Sequence, residues 1–83
     1  MPLIRATLME GALTADQKRE FIRRVTDAAL SVYAESMRPY CWVLLEDITS
    51  GQWGVGGQGL TTQDIKGLMA APAAPPAGVP AGV

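Results

Sequence analysis

The N-terminal segment of the chain alternates between apolar and polar side chains. In Leu3–Met9, the apolar Ile4, Ala6 and Leu8 occupy every second position, and the polar Arg5 lies between two of them. Successive side chains of a strand point to opposite faces, so this pattern predicts a β-strand with one buried face. A charged residue and a glycine follow directly, which favours a turn at the end of the strand.

A longer segment with helical spacing follows. Thr14 and Gln17 have the spacing of a capping box, which predicts a helix that begins directly after Thr14. Apolar side chains then recur along one helix face, at Phe21, Ile22, Val25, Ala28, Ala29 and Val32. The helix is predicted to end near Glu35, because Pro39 disfavours helical backbone at the residue before it.

The next segment, Cys41–Leu45, is almost continuously apolar. Such a run is typical of a strand that is buried on both faces of a parallel sheet. A strand, a long helix and a second strand form one right-handed β-α-β unit, so we predict an α/β fold built on a single unit of this kind. Its sheet would have open edges and an uncovered face, which requires association with further copies.

The C-terminal third is rich in turn-forming residues. The segment Ser50–Gly57 contains four glycines, which predicts a small hairpin or an extended arm. Thr61 is predicted to cap a short helix that ends at Met69. Residues 70–83 contain only Ala, Pro, Gly and Val, so we predict a folded domain over 2–69 and a disordered tail over 70–83.

Composition limits the classes of function that the chain can have. A length of 83 residues allows one domain, and a hydrophobic fraction of 48% is high for so small a core, which again favours a homo-oligomer. The net charge of -1 without a basic cluster argues against a nucleic-acid partner. No apolar run approaches the ~20 residues of a membrane span, so we expect no membrane partner.

The lack of histidine and the single cysteine exclude several kinds of catalytic and metal-binding site. The chain has no histidine, and Cys41 is its single cysteine. Ser–His and Cys–His catalysis and histidine-ligated zinc are therefore excluded, and one thiol makes neither an intrachain disulfide nor a thiolate metal site. No signal peptide precedes the first predicted strand, so a cytoplasmic protein is expected.

Pro2 is the residue with the most distinctive chemistry. It follows Met1 directly, so removal of the methionine would leave a free prolyl secondary amine. A free α-amino group titrates near about 7.7–8.0, and burial in an apolar pocket lowers that pKa. An amine of this kind can take up a proton near neutral pH, as a general base does.

The order and spacing of several segments resemble the 4-oxalocrotonate tautomerase family of the tautomerase superfamily. The segments that carry the resemblance are Pro2–Ile4, Leu8–Gly11, Thr14–Lys18, Val43–Glu46 and Gly51–Gly57. The resemblance implies an oligomer, commonly a hexamer assembled as a trimer of dimers. It also implies that Pro2 moves protons between carbon and oxygen of enol or α-keto acids, with no cofactor and no metal.

The chain departs from this family where the type enzyme binds substrate carboxylates. That enzyme carries one arginine directly after the Glu-Gly pair and another in the second strand. Here Ala12 and Leu13 follow Gly11, and Trp42 occupies the second position. The aromatic position of the hairpin is kept as Trp53.

Other residues could take over these roles. Arg38 lies shortly before the second strand, and Arg5 lies on the outer side of the first, so both are candidates for binding an anion; ordinary ion pairs are the alternative for each. The apolar residues expected to exclude water from the Pro2 amine are Trp53, Trp42, Met9 and Leu13. Packing in the core or between subunits is the alternative for the two tryptophans.

Together these features predict an isomerase in which Pro2 is the general base for keto–enol proton transfer. The absence of both arginines favours a monoacid or aromatic substrate, such as an arylpyruvate-type enol, over a diacid. Two alternatives stay open. One is a Pro-dependent hydratase or lyase of the same fold, and the other is a non-catalytic oligomeric binding module.

Overall fold

The computed structural model describes residues 1–71. Its elements in chain order are β1 (Leu3–Met9), α1 (Ala15–Val32), a 3₁₀ helix (Glu35–Tyr40), β2 (Trp42–Ile48), β3 (Trp53–Val55), β4 (Gln58–Leu60) and α2 (Thr62–Ala70). The predicted tail over 70–83 begins at the last residue of α2, and its residues 72–83 lie outside the described part. No helix within residues 1–71 has the length and apolar character needed to cross a membrane.

The sheet of the β-α-β unit is parallel, as predicted. β1 and β2 pair along their whole length, from Leu3 beside Trp42 to Met9 beside Ile48. Helix α1 runs back between them, so the N-terminal ends of both strands lie at one end of the sheet. The predicted alternation of β1 is also confirmed, because Ile4 and its even-numbered neighbours are less exposed than the odd-numbered residues between them.

The other side of this sheet is open to solvent in the single chain. Leu3 is 51% exposed, Trp42 is 55% exposed and Leu44 is 44% exposed. We call the surface formed by Leu3, Arg5, Thr7, Trp42, Leu44 and Glu46 the open face. The prediction that the second strand is buried on both sides is therefore wrong for one chain, because α1 covers one side only.

Helix α1 begins as predicted but ends earlier. The Thr14 hydroxyl accepts a hydrogen bond from the Gln17 backbone N–H at 3.1 Å, and the Gln17 side chain accepts one from the Thr14 N–H at 2.9 Å, which completes the capping box. The helix ends at Val32 rather than near Glu35, because Ala34 has an extended backbone with φ 179. The prediction that Pro39 ends this helix is also wrong, since Pro39 lies inside the 3₁₀ helix that follows.

The glycine-rich segment forms the predicted hairpin. β3 and β4 pair antiparallel, with Val55 beside Gln58. The two residues between them, Gly56 and Gly57, have φ values of 59 and 83. Two consecutive residues with positive φ match the twist of the flanking strands, and glycine adopts this geometry without strain.

Helix α2 is joined to the end of β1 through its first residue. The Thr62 hydroxyl donates to the Glu10 carbonyl at 2.5 Å, and the Thr62 N–H donates to the Ser50 hydroxyl at 2.9 Å. A Cβ on Gly11 would lie 3.2 Å from the Thr62 methyl group, and Gly11 has φ +78. A glycine at this position therefore allows both the turn and the close approach of α2.

The core of a single chain is small. Within residues 1–71 only Pro2, Met9 and Leu30 are buried, and the last two are each 4% exposed. Large apolar side chains remain exposed on the open face and elsewhere. A folded unit with so little buried apolar surface is marginal alone, which supports association with other copies.

Candidate active site

Six of the seven residues predicted to form the site lie in two groups at opposite ends of β1, and the seventh, Arg5, lies within the strand. The first group, which we call the proline end, contains Pro2, Arg38 and Trp42. The second, which we call the cavity end, contains Met9, Leu13 and Trp53. At about 3.3 Å per strand residue, the seven steps from Pro2 to Met9 span roughly 20 Å. One chain therefore does not bring the two groups together.

Pro2 is held at the start of the sheet. It is buried, and its carbonyl oxygen accepts a hydrogen bond from the Trp42 backbone N–H at 3.0 Å. This bond continues the parallel ladder, in which Leu3 pairs with Trp42. The position of the proline ring is thus set by the first residues of both strands. The Trp42 side chain lies on the open face, where it is 55% exposed.

Arg38 is engaged by two carboxylates at the proline end. Its guanidinium donates to Asp27 at 2.8 Å and to both carboxylate oxygens of Glu35. The hydrogen bonds that Arg38 donates to Glu35 and to Asp27 raise the pKa of Arg38 above its usual range, and the Arg38 guanidinium lowers the pKa of Glu35. The cation thereby joins the 3₁₀ helix to α1.

Arg5, in contrast, makes no ion pair within residues 1–71. It lies on the open face beside Leu44, its partner in the parallel register. Together with Leu44, Leu45 and Glu46 it lines a shallow depression of about 320 Å³. Of the two arginines predicted to bind an anion, Arg5 is therefore the one whose guanidinium has no carboxylate partner in the described chain.

The cavity end contains an apolar cavity of about 360 Å³. Its lining comes from the end of β1, the following loop, α1, the hairpin and α2, and consists of Thr7, Leu8, Met9, Ala12, Leu13, Phe21, Trp53 and Ile65. Three of the predicted site residues, Met9, Leu13 and Trp53, thus meet in one cavity. Its lining contains no charged side chain, so it favours an apolar group.

Five of the eight cavity residues were not predicted as site residues: Thr7, Leu8, Ala12, Phe21 and Ile65. The first three lie within two positions of the predicted Met9 or Leu13 in the sequence. Phe21 belongs to the apolar stripe of α1, and its position in the stripe gives no sign that it borders a cavity. Ile65 lies on α2, and only the contacts of Thr62 with Glu10 bring that helix to the end of β1. The spacing of Ile65 four residues after the Thr61 cap was the available signal.

Charged groups surround the cavity end without entering the cavity. The Lys18 ammonium donates to the Asp47 carboxylate at 2.6 Å, which ties α1 to the end of β2. Hydrogen bonds from Arg23 and then Arg24 lower the pKa of Glu20 to about 2. Within residues 1–71, no three His, Cys, Asp or Glu side chains come together in a way that could hold a metal ion.

Comparison with known proteins identifies the family of this fold. The profile of the family described as "Tautomerase enzyme" matches residues 2–63. The chain belongs to the tautomerase family. The match begins at Pro2 and includes all residues of the proline end and the cavity residues up to Trp53. Among curated proteins no match was found.

Solved tautomerase structures resemble the chain over most of their own length. TomN, a 4-oxalocrotonate tautomerase homologue in the tomaymycin biosynthetic pathway, is 29% identical, with 71% of this chain and 88% of TomN covered and a TM-score of 0.66. An apo unfused 4-OT is 33% identical, with 76% and 97% covered and a TM-score of 0.64. The heterohexamer 4-oxalocrotonate tautomerase from Chloroflexus aurantiacus J-10-fl is 25% identical, with 77% and 97% covered and a TM-score of 0.63.

Proposed function

We propose that this tautomerase-family chain, once Met1 is removed, uses Pro2 as a general base for keto–enol proton transfer on aromatic or other monoacid substrates. The observation that carries the proposal is the buried Pro2 at the start of β1, with its carbonyl bonded to Trp42. That bond fixes the residue whose ring nitrogen becomes a secondary amine when the preceding peptide bond is cut. A base held in one place avoids the cost of ordering it during the reaction.

The proposed reaction moves one proton and changes no oxidation state. The neutral Pro2 nitrogen takes the hydroxyl proton of the enol, so the O–H bond breaks and the carbonyl forms. The resulting ammonium gives the proton to the conjugated carbon, where a C–H bond forms. The Pro2 amine is then neutral again, and the step requires no group beyond the amine and the substrate.

The complete site is proposed to form between copies. Pro2 and the cavity are separated by roughly 20 Å along β1 of one chain. The proline end carries exposed apolar side chains, among them Leu3 and Trp42, and the cavity end offers an apolar cavity. If the proline end of one copy meets the cavity end of another, both surfaces are buried. The assembly that we expect is a homo-oligomer, commonly six copies in this family.

The proposed substrate carries one carboxylate and an apolar group. The cavity has no cation, and Arg38 is engaged by Asp27 and Glu35. Arg5 is the arginine that these ion pairs leave available. A charge-assisted hydrogen bond contributes about 1.5–3 kcal/mol. A diacid would therefore leave one end without such a contact, whereas an aromatic ring fits beside Trp53.

The proposal is tested by replacing the base. Intact mass must show that Met1 is absent from the purified protein. We expect ketonisation of phenylenolpyruvate, followed by ultraviolet absorbance, to fall at least about a hundredfold in Pro2→Ala, in the range that general-base catalysis contributes. The matched control is Ala15→Pro, which adds a proline at the first helical position, where the residue is tolerated. A Pro2→Ala protein as active as wild type, or a wild type that retains Met1 and is active, would refute the role of Pro2.

A further inference from the structure

Most of helix α2, from Asp64 onward, lies beyond the family match. The match ends at residue 63, directly after α2 begins at Thr62. The unfused 4-OT and the Chloroflexus tautomerase are covered over 97% of their own lengths, yet only 76% and 77% of this chain is covered. Ile65 and the residues of α2 that follow it therefore lie outside the matched region, and a role for them cannot be inferred from the family match.

The start of α2 is fixed against the loop that lines the cavity. Thr62 bonds to the carbonyl of Glu10 and to the Ser50 hydroxyl, and its methyl group packs closely on Gly11. The residues that follow Gly11 are Ala12 and Leu13, both of which line the cavity. The Thr61–Asp64 capping box adds order to the same turn, since Thr61 and Asp64 exchange hydrogen bonds at 2.9 and 3.2 Å.

Only one large apolar side chain of α2 borders the cavity. Ile65 is half-buried and forms part of its wall. Leu68 and Met69 are 62% and 56% exposed and do not contact the cavity. Ile65 lies three residues after Thr62, so it is held within one helical turn of the fixed end of α2. The helix thus places one branched side chain against the cavity in a defined position.

We propose that α2 is the outer wall of the cavity and that Ile65 sets the largest apolar group that the active site accepts. This inference takes the cavity as the apolar part of the proposed active site, and in that respect it rests on the proposed function. The ligand class is a carboxylic acid with a single aromatic ring. A residue with this role determines specificity and takes no part in the proton transfer.

The size of the cavity agrees with this ligand class. Its volume of about 360 Å³ exceeds the ~150 Å³ of an apolar cavity that takes up benzene, and it lies near the lower end of the ~300–1,000 Å³ range of small-molecule sites. A fused double ring would fill more of this volume and contact more of the wall, including Ile65. Ile65 is the one residue of α2 in this wall and is not among the buried core residues, so its truncation enlarges the cavity without opening the core.

The experiment measures binding of two unreactive monoacids to the full-length oligomer. Phenylacetate and 2-naphthylacetate have no enol to convert, so their affinities, measured by calorimetry, do not depend on catalysis. In Ile65→Ala we expect the ratio of naphthylacetate to phenylacetate affinity to rise roughly tenfold, the low end of what one or more methylene groups contribute in an apolar pocket. Ile65→Val should give a smaller rise. The matched control, Leu68→Ala, truncates an exposed residue of the same helix and should leave the ratio unchanged.

The outcomes separate this inference from the proposed function. A ratio that rises in both Ile65 variants and not in Leu68→Ala supports the specificity role, even if the protein shows no Pro2-dependent activity. An unchanged ratio in folded Ile65→Val overturns it, even if Pro2-dependent activity is present. Equal changes in the Ile65 and Leu68 variants overturn it as well, because the effect would then reflect the stability of α2.

Discussion

The two ends of the β-α-β unit bring together opposite kinds of group. At the proline end, Pro2 is held by a main-chain hydrogen bond, and Arg38 is surrounded by carboxylates. At the cavity end, carbon atoms of several elements enclose a space without a charge. The proposed base and the proposed binding surface for its substrate thus lie in different regions of one chain. In the proposed assembly each copy supplies one half of two different sites, so assembly and activity are expected to fail or succeed together.

The largest expected effect comes from breaking the contact between copies. Leu44 lies in the middle of the open face and is 44% exposed in one chain. Leu44→Glu would remove an apolar contact from the interface and bury a carboxylate there beside Arg5. Desolvation of such a pair exceeds its Coulombic gain, at a cost of about 3 kcal/mol. Association should weaken by more than about a hundredfold, and activity should be lost with it. Sedimentation velocity at micromolar concentration measures the change.

The matched control for this change is Leu68→Glu, which adds the same charge at an exposed position of α2. It should leave the sedimentation coefficient unchanged. A Leu44→Glu protein that still sediments as the wild-type oligomer would show that the open face is not the contact between copies.

A smaller effect is expected from changing the character of the proline end. Trp42→Arg supplies a cation where the chain has an exposed aromatic side chain. We expect the preference for phenylenolpyruvate over a dicarboxylate enol to shift toward the dicarboxylate by at least about tenfold, the effect of one charge-assisted contact of about 1.5 kcal/mol. Values of kcat/KM for the two substrates measure the shift.

Tyr40→Arg is the control for that experiment, because Tyr40 is 53% exposed and lies just before β2. It adds the same charge near the same end of the sheet. If Trp42→Arg and Tyr40→Arg shift the preference equally, the effect is long-range attraction of the dianion, and Trp42 does not border the substrate.

The smallest effect concerns acid. Hydrogen bonds from Arg23 and Arg24 lower the pKa of Glu20 to about 2, so this carboxylate stabilises the folded chain above its unfolded pKa. The contribution is lost as the pH falls from about 4.5, the ordinary value, through about 2. Glu20→Gln does not titrate, so its stability difference from wild type should shrink between pH 6 and pH 3. Urea unfolding at one fixed protein concentration measures this, and a constant difference would contradict the assignment.

The features that could be predicted from the sequence are those set by near neighbours. The alternation around Ile4, the capping box of Thr14 and Gln17, and the glycine-rich hairpin each depend on residues within a few positions. The end of α1 does not, because the extended backbone of Ala34 has no distinctive residue to mark it. The apolar run of β2 correctly predicts a strand. Its composition does not show whether each face of the strand is covered by a helix of the same chain or left open for a second copy.

The residues of the candidate site also differ in whether near or distant neighbours in the sequence determine their surroundings. Pro2 and Trp53 could be predicted as candidates because their positions in the chain are distinctive, and the structure places Trp53 in the cavity wall. The engagement of Arg38 could be foreseen in part, since Glu35 precedes it by three residues, but its bond to Asp27 joins two elements. Ile65 reaches the cavity only through the contact of Thr62 with Glu10, two residues that are 52 positions apart. Contacts of that range are set by the fold as a whole.

The parallel pairing of β1 and β2 also governs the order in which the molecule matures. Every pair of this ladder, from Leu3 with Trp42 to Met9 with Ile48, encloses the whole of α1, and pairings between distant residues form slowly. The hairpin closes across two glycines and belongs to the microsecond events of folding. We therefore expect a newly made chain to complete its proline end late. Its open face stays exposed to water until another copy covers it. Until a second copy covers them, the exposed apolar side chains and the unpaired strand edges of this sheet favour aggregation.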